Sequence, residues 1–140
     1  MWWWQTHGML LRTRRQTWPV AVVADVVAVL VFAAIGRANH DESVGAAGVW
    51  HTAWPFLVGA GAGLALTAYQ RLEPTGLRAG FRVWGGTVVV GLVVRHLAGG
   101  GTPIDFVIVA AIVLGAFLVG WRAVYTWRTG SRWLRVLKRR

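Results

Sequence analysis

Four long apolar runs, parted by short charged stretches at about 18–36, 51–70, 80–98 and 103–125, govern what this chain can become. Each is near the ~20 residues that a helix needs to cross a bilayer. A soluble bundle would show polar faces recurring at a period near 3.6, and these runs lack them. Only 14% of the residues are charged, where a soluble domain carries nearer ~25%. The expectation is an all-α integral membrane four-helix bundle. Residues 1–17 read as a basic, Trp-rich N-terminal segment, 18–127 as the membrane domain and 128–140 as a basic amphipathic tail.

The chain holds fifteen Lys and Arg against five acids. Nucleic-acid binders are also basic, but a binding face here would be broken up by apolar segments, so no nucleic acid is expected. The placement of the charges sets orientation instead. Thirteen of the basic residues fall in the N-terminal segment, the second loop with its flanks, and the C-terminal side, while Arg37 and Arg95 stand opposite. Short loops rich in Lys and Arg stay inside, so both termini are expected in the cytoplasm and the protein in the cytoplasmic membrane. In the tail, Ser131 would cap a short helix with Trp133, Leu134 and Leu137 on one face. Such a helix would lie on anionic inner-leaflet headgroups, each basic residue adding ~1 kcal/mol. The opening M-W-W-W reads as an interfacial anchor, with a start at Met9 as the alternative. Asp25 and the lack of a small-residue cleavage site argue against a signal peptide.

Glycines mark where helices approach. Gly59 and Gly63 are four apart in the second run, and Gly85 and Gly86 lie in the third. Small residues at such spacing let helices pack closely in lipid. Packing among the four runs is the first reading, and contact between copies or with a membrane partner protein is the second.

The sharpest polar feature is Asp25, alone in V-A-V-V-A-D-V-V-A-V-L-V. An ionised Asp at a helix centre costs ~2.5–3.5 kcal/mol on insertion scales, so it should face protein or water. Thr87 matches its depth along the axis, and Arg82 and Arg122 are close enough in depth to reach up to it. Arg37 is about 18 Å further along the same helix and cannot be its partner. Asp25 is either a proton- or cation-binding carboxylate in a permeation path, or a paired acid that fixes helix register.

An outer rim collects Arg37, His40, Asp41, Glu42, Arg95, His96 and Asp105, with His51 nearby. Thr102 and Pro103 suit a helix start, and Asp105 suits its positive end. Imidazoles and carboxylates can hold zinc, but no H-x-x-x-H pair occurs, and solvated histidines are the first expectation. No nucleophile elbow or phosphate-binding loop is present, and the absence of cysteine removes thiolate chemistry. No catalytic residue, metal or cofactor is assigned, and an enzyme is not favoured.

These residues also resemble a family. The pattern is Asp25, F-x-x-I-G-R-x-x-H from Phe32 to His40, W-P-F-L-x-G from Trp54 to Gly59, and G-x-x-x-R from Gly91 to Arg95. It continues with G-G-G-T from Gly99 to Thr102, Val109-Ala110, and G-W-R from Gly120 to Arg122. In combination it is similar to a family of small four-span bacterial and archaeal membrane proteins of unknown function. The likeness covers about Pro19 to Tyr125 and implies a compact four-helix membrane domain with no assigned activity. Function therefore divides into three readings. The first is a small oligomeric transport or permeation protein using Asp25. The second is a non-catalytic interaction or assembly subunit of another membrane complex, and the third is a lipid-modifying enzyme working through the rim histidines.

Overall fold

In lipid every backbone N–H and C=O must find a partner within its own segment or a neighbour, which restricts apolar runs to helices or closed barrels. This chain uses helices. The computed structural model describes the backbone of residues 3–39 and 45–137 and the side chains of residues 17–39 and 45–130. Its elements are α1 (Trp3–Asn39), α2 (Ala46–Tyr69), α3 (Leu77–Leu97) and α4 (Ile104–Leu137). Among the described residues, three helical stretches are long and apolar enough to cross a membrane: Thr17–Asn39, Leu77–Leu97 and Ile104–Gly130. The remaining helix, α2, is diluted by four glycines, two tryptophans and Pro55.

Two of the helices outrun their sequence-predicted limits. α1 begins at Trp3, because nothing before Pro19 except Gly8 opposes a helix, and Pro19 lies in its interior instead of its opening turn. α4 runs unbroken through Ser131 to Leu137, so Ser131 does not cap a separate helix. The side chains of Trp133, Leu134 and Leu137 fall outside those described.

Consecutive helices pack as antiparallel neighbours, and α4 closes the ring against α1. The closest pair is α2 with α3. A Cβ on Gly59 would lie 2.7 Å from the Gly86 carbonyl oxygen, and one on Gly63 would lie 2.5 Å from the Val83 Cα. Backbone meets backbone there, as small residues permit in lipid. Gly86 is part of this contact, whereas Gly85 faces open space. Thr67 and Thr87 sit in the same seam and donate to the Gly63 and Val83 carbonyls of their own helices at 2.8 and 2.7 Å. Such local bonds satisfy a hydroxyl without a partner helix. Between α3 and α4, the Trp84 indole fits against Gly115 and donates to the Ala111 carbonyl at 2.9 Å.

The inward faces of α1 and α4 are stripes at four-residue spacing, Ala21, Asp25, Val29 and Ala33 against Ala110, Leu114, Leu118 and Arg122. Most members are apolar, and the two charged ones face each other at one end. At the other end Phe32, Phe56 and Phe106 form a cluster with ring centroids 5.3 to 6.4 Å apart.

Two connections end their helices the same way. Leu72 N–H reaches the Thr67 carbonyl and Arg71 N–H the Ala68 carbonyl; Gly100 and Gly99 repeat this on Arg95 and His96. Both are Schellman closures, which need a left-handed residue after the helix. Gly99 supplies it at φ 82°, and Arg71 does so as a non-glycine at φ 53°.

Candidate functional site

Asp25 and Arg122 project from α1 and α4 toward each other, and both are completely buried. The carboxylate accepts from Arg122 Nη1 at 2.7 Å on Oδ1 and from Nη2 at 2.8 Å on Oδ2. This is the two-pronged geometry in which Arg binds carboxylate most strongly. Trp121 Nε1 donates to the same Oδ1 at 3.0 Å, and its ring lies under the guanidinium, 4.5 Å from Cζ to centroid. Consecutive residues on α4 thus both hold Asp25, one by charge and one by an indole N–H.

The remaining donors of Arg122 tie in the backbone. Nη1 also donates to the Leu118 carbonyl at 2.8 Å, and Nε donates to the Pro74 carbonyl at 2.9 Å. Pro74 belongs to the α2–α3 connection. After the closure at Arg71 the chain makes a tight turn, with Gly76 N–H on the Glu73 carbonyl. Pro74 and Thr75 are buried by it. Gly80, one turn into α3, leaves room for the Arg122 stem, since a Cβ there would lie 2.9 Å from Cδ. Three helices and a loop therefore converge on one guanidinium. Among the described residues no buried side-chain nitrogen or oxygen lacks a hydrogen-bond partner.

The family match falls on these parts. The model of a family of proteins of unknown function, DUF3054, matches residues 22–125. The chain belongs to that family. The matched stretch takes in Asp25, Pro74, Trp121 and Arg122, and it leaves the N-terminal segment and the tail outside. Searches of curated proteins and of solved structures gave no match.

Of the intramembrane residues singled out by sequence, the structure joins Asp25 with Arg122 and separates the other two. Thr87 turns toward α2, its hydroxyl spent on Val83, so the depth match with Asp25 does not produce a contact. Arg82 is exposed and donates to Gln70 at 3.0 Å. Asp25 also lies beside the α2–α3 connection, not in a central layer with Thr87. Trp121, Pro74 and Gly80 were not assigned roles by sequence. The G-W-R motif and the E-P-T-G turn were the available signals for them.

At the opposite end, Arg37 donates to Thr52 at 3.4 Å, and its guanidinium covers Gly48. Arg95 lies over Phe106 at 4.5 Å and donates to the Gly101 carbonyl at 3.0 Å. Asp105 is exposed in the first turn of α4. Thr102 Oγ1 stands 3.3 Å from His96 Nδ1, so its hydroxyl faces the preceding helix end. His40, Asp41 and Glu42 lie outside the described residues. Among the described residues no three His, Asp or Glu side chains gather as a metal site.

Chemically, the Asp25 cluster is a clasp. Both carboxylate oxygens are engaged, and four guanidinium hydrogen bonds run to protein acceptors. Replacing such a pair by apolar groups is often neutral, but removing one partner strands a buried charge at ~3–5 kcal/mol. Its geometry serves to fix the relative register of α1, α4 and the α2–α3 connection.

Proposed function

We propose that this is a four-span protein of the cytoplasmic membrane, both ends inside, acting as a non-catalytic subunit. In this reading it associates with another membrane protein or with copies of itself, and it does not conduct solute through its own bundle. The observation that carries this is the saturation of Asp25. The acid best placed to serve a permeating proton or cation is fully buried, with both oxygens held by Arg122 and Trp121. Beyond it the ring interior is filled by Val29, Leu118, Leu114 and the Phe cluster.

Support for α2 as a fourth span comes from its length and its ends. Trp50 and Tyr69 are both exposed, and the helix between them covers about 28 Å at 1.5 Å per residue. That is close to the ~30 Å hydrocarbon core, with amphipathic rings at the two headgroup levels. Two of the four glycines that lower its hydropathy, Gly59 and Gly63, are packed on α3. Support for the orientation is the distribution of thirteen basic residues against two. The chain has no native cysteine, so single cysteines at Ala46 and Gly130 report it cleanly. A membrane-impermeant maleimide on intact cells should label the first and spare the second.

Association is tested by purifying the chain from its own membrane in a mild detergent. A stoichiometric partner or a defined oligomer is expected, and a lone monomer would sink the idea. Permeation keeps one argument, since a protonatable acid paired with Arg in a membrane is a common carrier element. Proton-linked flux in reconstituted vesicles that vanishes with Asp25→Asn would replace the association reading.

A further inference from the structure

We propose that the groove between α1 and α4 binds an acyl chain of an anionic phospholipid, whose headgroup is held by the basic extensions of those two helices. The inference needs only that the bundle sits in a membrane and is independent of the association reading. The groove measures about 380 Å³ and is lined by Ala24, Ala28 and Val31 of α1 and Ala116, Phe117 and Trp121 of α4. It is a shallow, open and almost wholly apolar groove, suited to an acyl chain lying along the helices. Three small residues, Ala24, Ala28 and Ala116, leave space between α1 and α4 beside the Asp25 clasp. Trp121 forms one end of the groove, and the same indole donates to Asp25. The site is therefore built against a fixed wall.

Charge selects the occupant. Asp25 is neutralised by Arg122, so it does not repel an anion. From the Trp121 end both helices continue outward, α1 back through Arg15, Arg14 and Arg12, α4 on through Arg128, Arg132 and Arg135. No acid occurs in residues 1–24 or 106–140. Arg15 and Arg128 lie about 14 and 11 Å along their axes from Ala24 and Trp121. A chain in the groove thus points its phosphate toward the stretches of both helices that are basic in sequence. The groove between α1 and α2 is larger, about 560 Å³, and is lined by residues such as Ala34, Val49 and Trp50. It lies toward the end that carries Asp41 and Glu42 in sequence, so the same headgroup is not matched there.

The experiment uses the full chain in detergent with dioleoyl phosphatidylglycerol or dioleoyl phosphatidylcholine. Lipid retention is read by native mass spectrometry and stability by the thermal midpoint. Phosphatidylglycerol should be retained and raise the midpoint, and phosphatidylcholine at the same mole fraction should do neither. Ala116→Trp fills the groove, and displacing even two methylenes weakens retention about tenfold. Ile112→Trp, on the exposed side of the same helix, should leave retention unchanged. If Ala116→Trp does not fold by circular dichroism, Ala116→Leu carries the test. Replacing Arg12, Arg14, Arg15 and Arg128 by Gln should abolish the preference for the anionic lipid. Wild-type retention in the filled-groove variant, or equal retention of both lipids, overturns the proposal. So does a groove variant whose lost property is dimerisation, because a second copy would then occupy the site.

Discussion

Removing the charge of Asp25 is the most incisive perturbation of this fold. In Asp25→Asn the guanidinium of Arg122 stays buried, held by the Pro74 and Leu118 carbonyls at 2.9 and 2.8 Å. It loses the carboxylate that balanced its charge. A stranded buried charge costs ~3–5 kcal/mol. Arg122→Met strands Asp25 instead and also takes the donor from Pro74, a buried carbonyl whose desolvation adds ~1–3 kcal/mol. The double variant Asp25→Asn/Arg122→Met removes both charges, leaves the amide oxygen to accept from Trp121, and keeps only neutral penalties, those of the Pro74 carbonyl and the amide NH2. It should therefore be more stable than either single variant, with a coupling of at least ~2 kcal/mol in a double-mutant cycle. The measurement is equilibrium unfolding of the purified chain in mixed micelles, followed by tryptophan fluorescence. A second readout separates the two arms of Arg122. Tryptic cleavage at Arg71 or Arg78 should accelerate in Arg122→Met, because the Pro74 tether is gone, and much less in Asp25→Asn. If Asp25→Asn costs under ~1 kcal/mol, or the two single effects simply add, the clasp does not hold the bundle as argued.

Trp121→Phe keeps the ring against Arg122 and deletes one hydrogen bond to a charged acceptor, so unfolding should show a loss of ~1.5–3 kcal/mol with helix content unchanged. Gly63→Ala drives a Cβ to 2.5 Å from the Val83 Cα, and overpacking of this kind costs ~1–3 kcal/mol or more. Gly61→Ala, where nothing lies within 4 Å, should stabilise by up to ~1 kcal/mol, and thermal melts of the two variants side by side would test the seam. Gly99→Ala must hold φ near 82° with a side chain, for a cost of ~1–2 kcal/mol by the same melt.

The class of fold was legible because lipid-facing helices leave a crude signal, runs of apolar residues at membrane length. The partners of Asp25 were legible only in part. Position along a helix axis follows from residue counts, and that is how Arg122 came within reach of Asp25. Rotation about the axis does not. In a soluble helix the polar face reveals it, but here both the lipid side and the packed side are apolar. Residue counts alone therefore match Thr87 to Asp25, whereas the structure faces Thr87 to another helix, turned there by the contact of Gly59 and Gly63 with Gly86 and the Thr87 Cα. The same uncertainty hid the difference between Gly85 and Gly86, neighbours 100° apart on one helix. Pro74 was hidden for another reason. Its carbonyl reaches Arg122 only because the connection folds inward, and turn residues predict a turn without predicting what it covers.

The clasp also has a history in time. Asp25 and Arg122 are 97 residues apart in sequence, and synthesis proceeds at ~5–20 residues per second. Asp25 is thus made roughly 5–20 s before the residue that neutralises it. Through that interval α1 carries an acid with no cation, at an insertion cost of ~2.5–3.5 kcal/mol if it is ionised. The first helix is consequently committed to the bilayer on loan from its apolar flanks, and the nascent bundle stays open at the α1–α4 seam until the last helix arrives. Any factor that shelters an unfinished membrane protein would find its most vulnerable surface there.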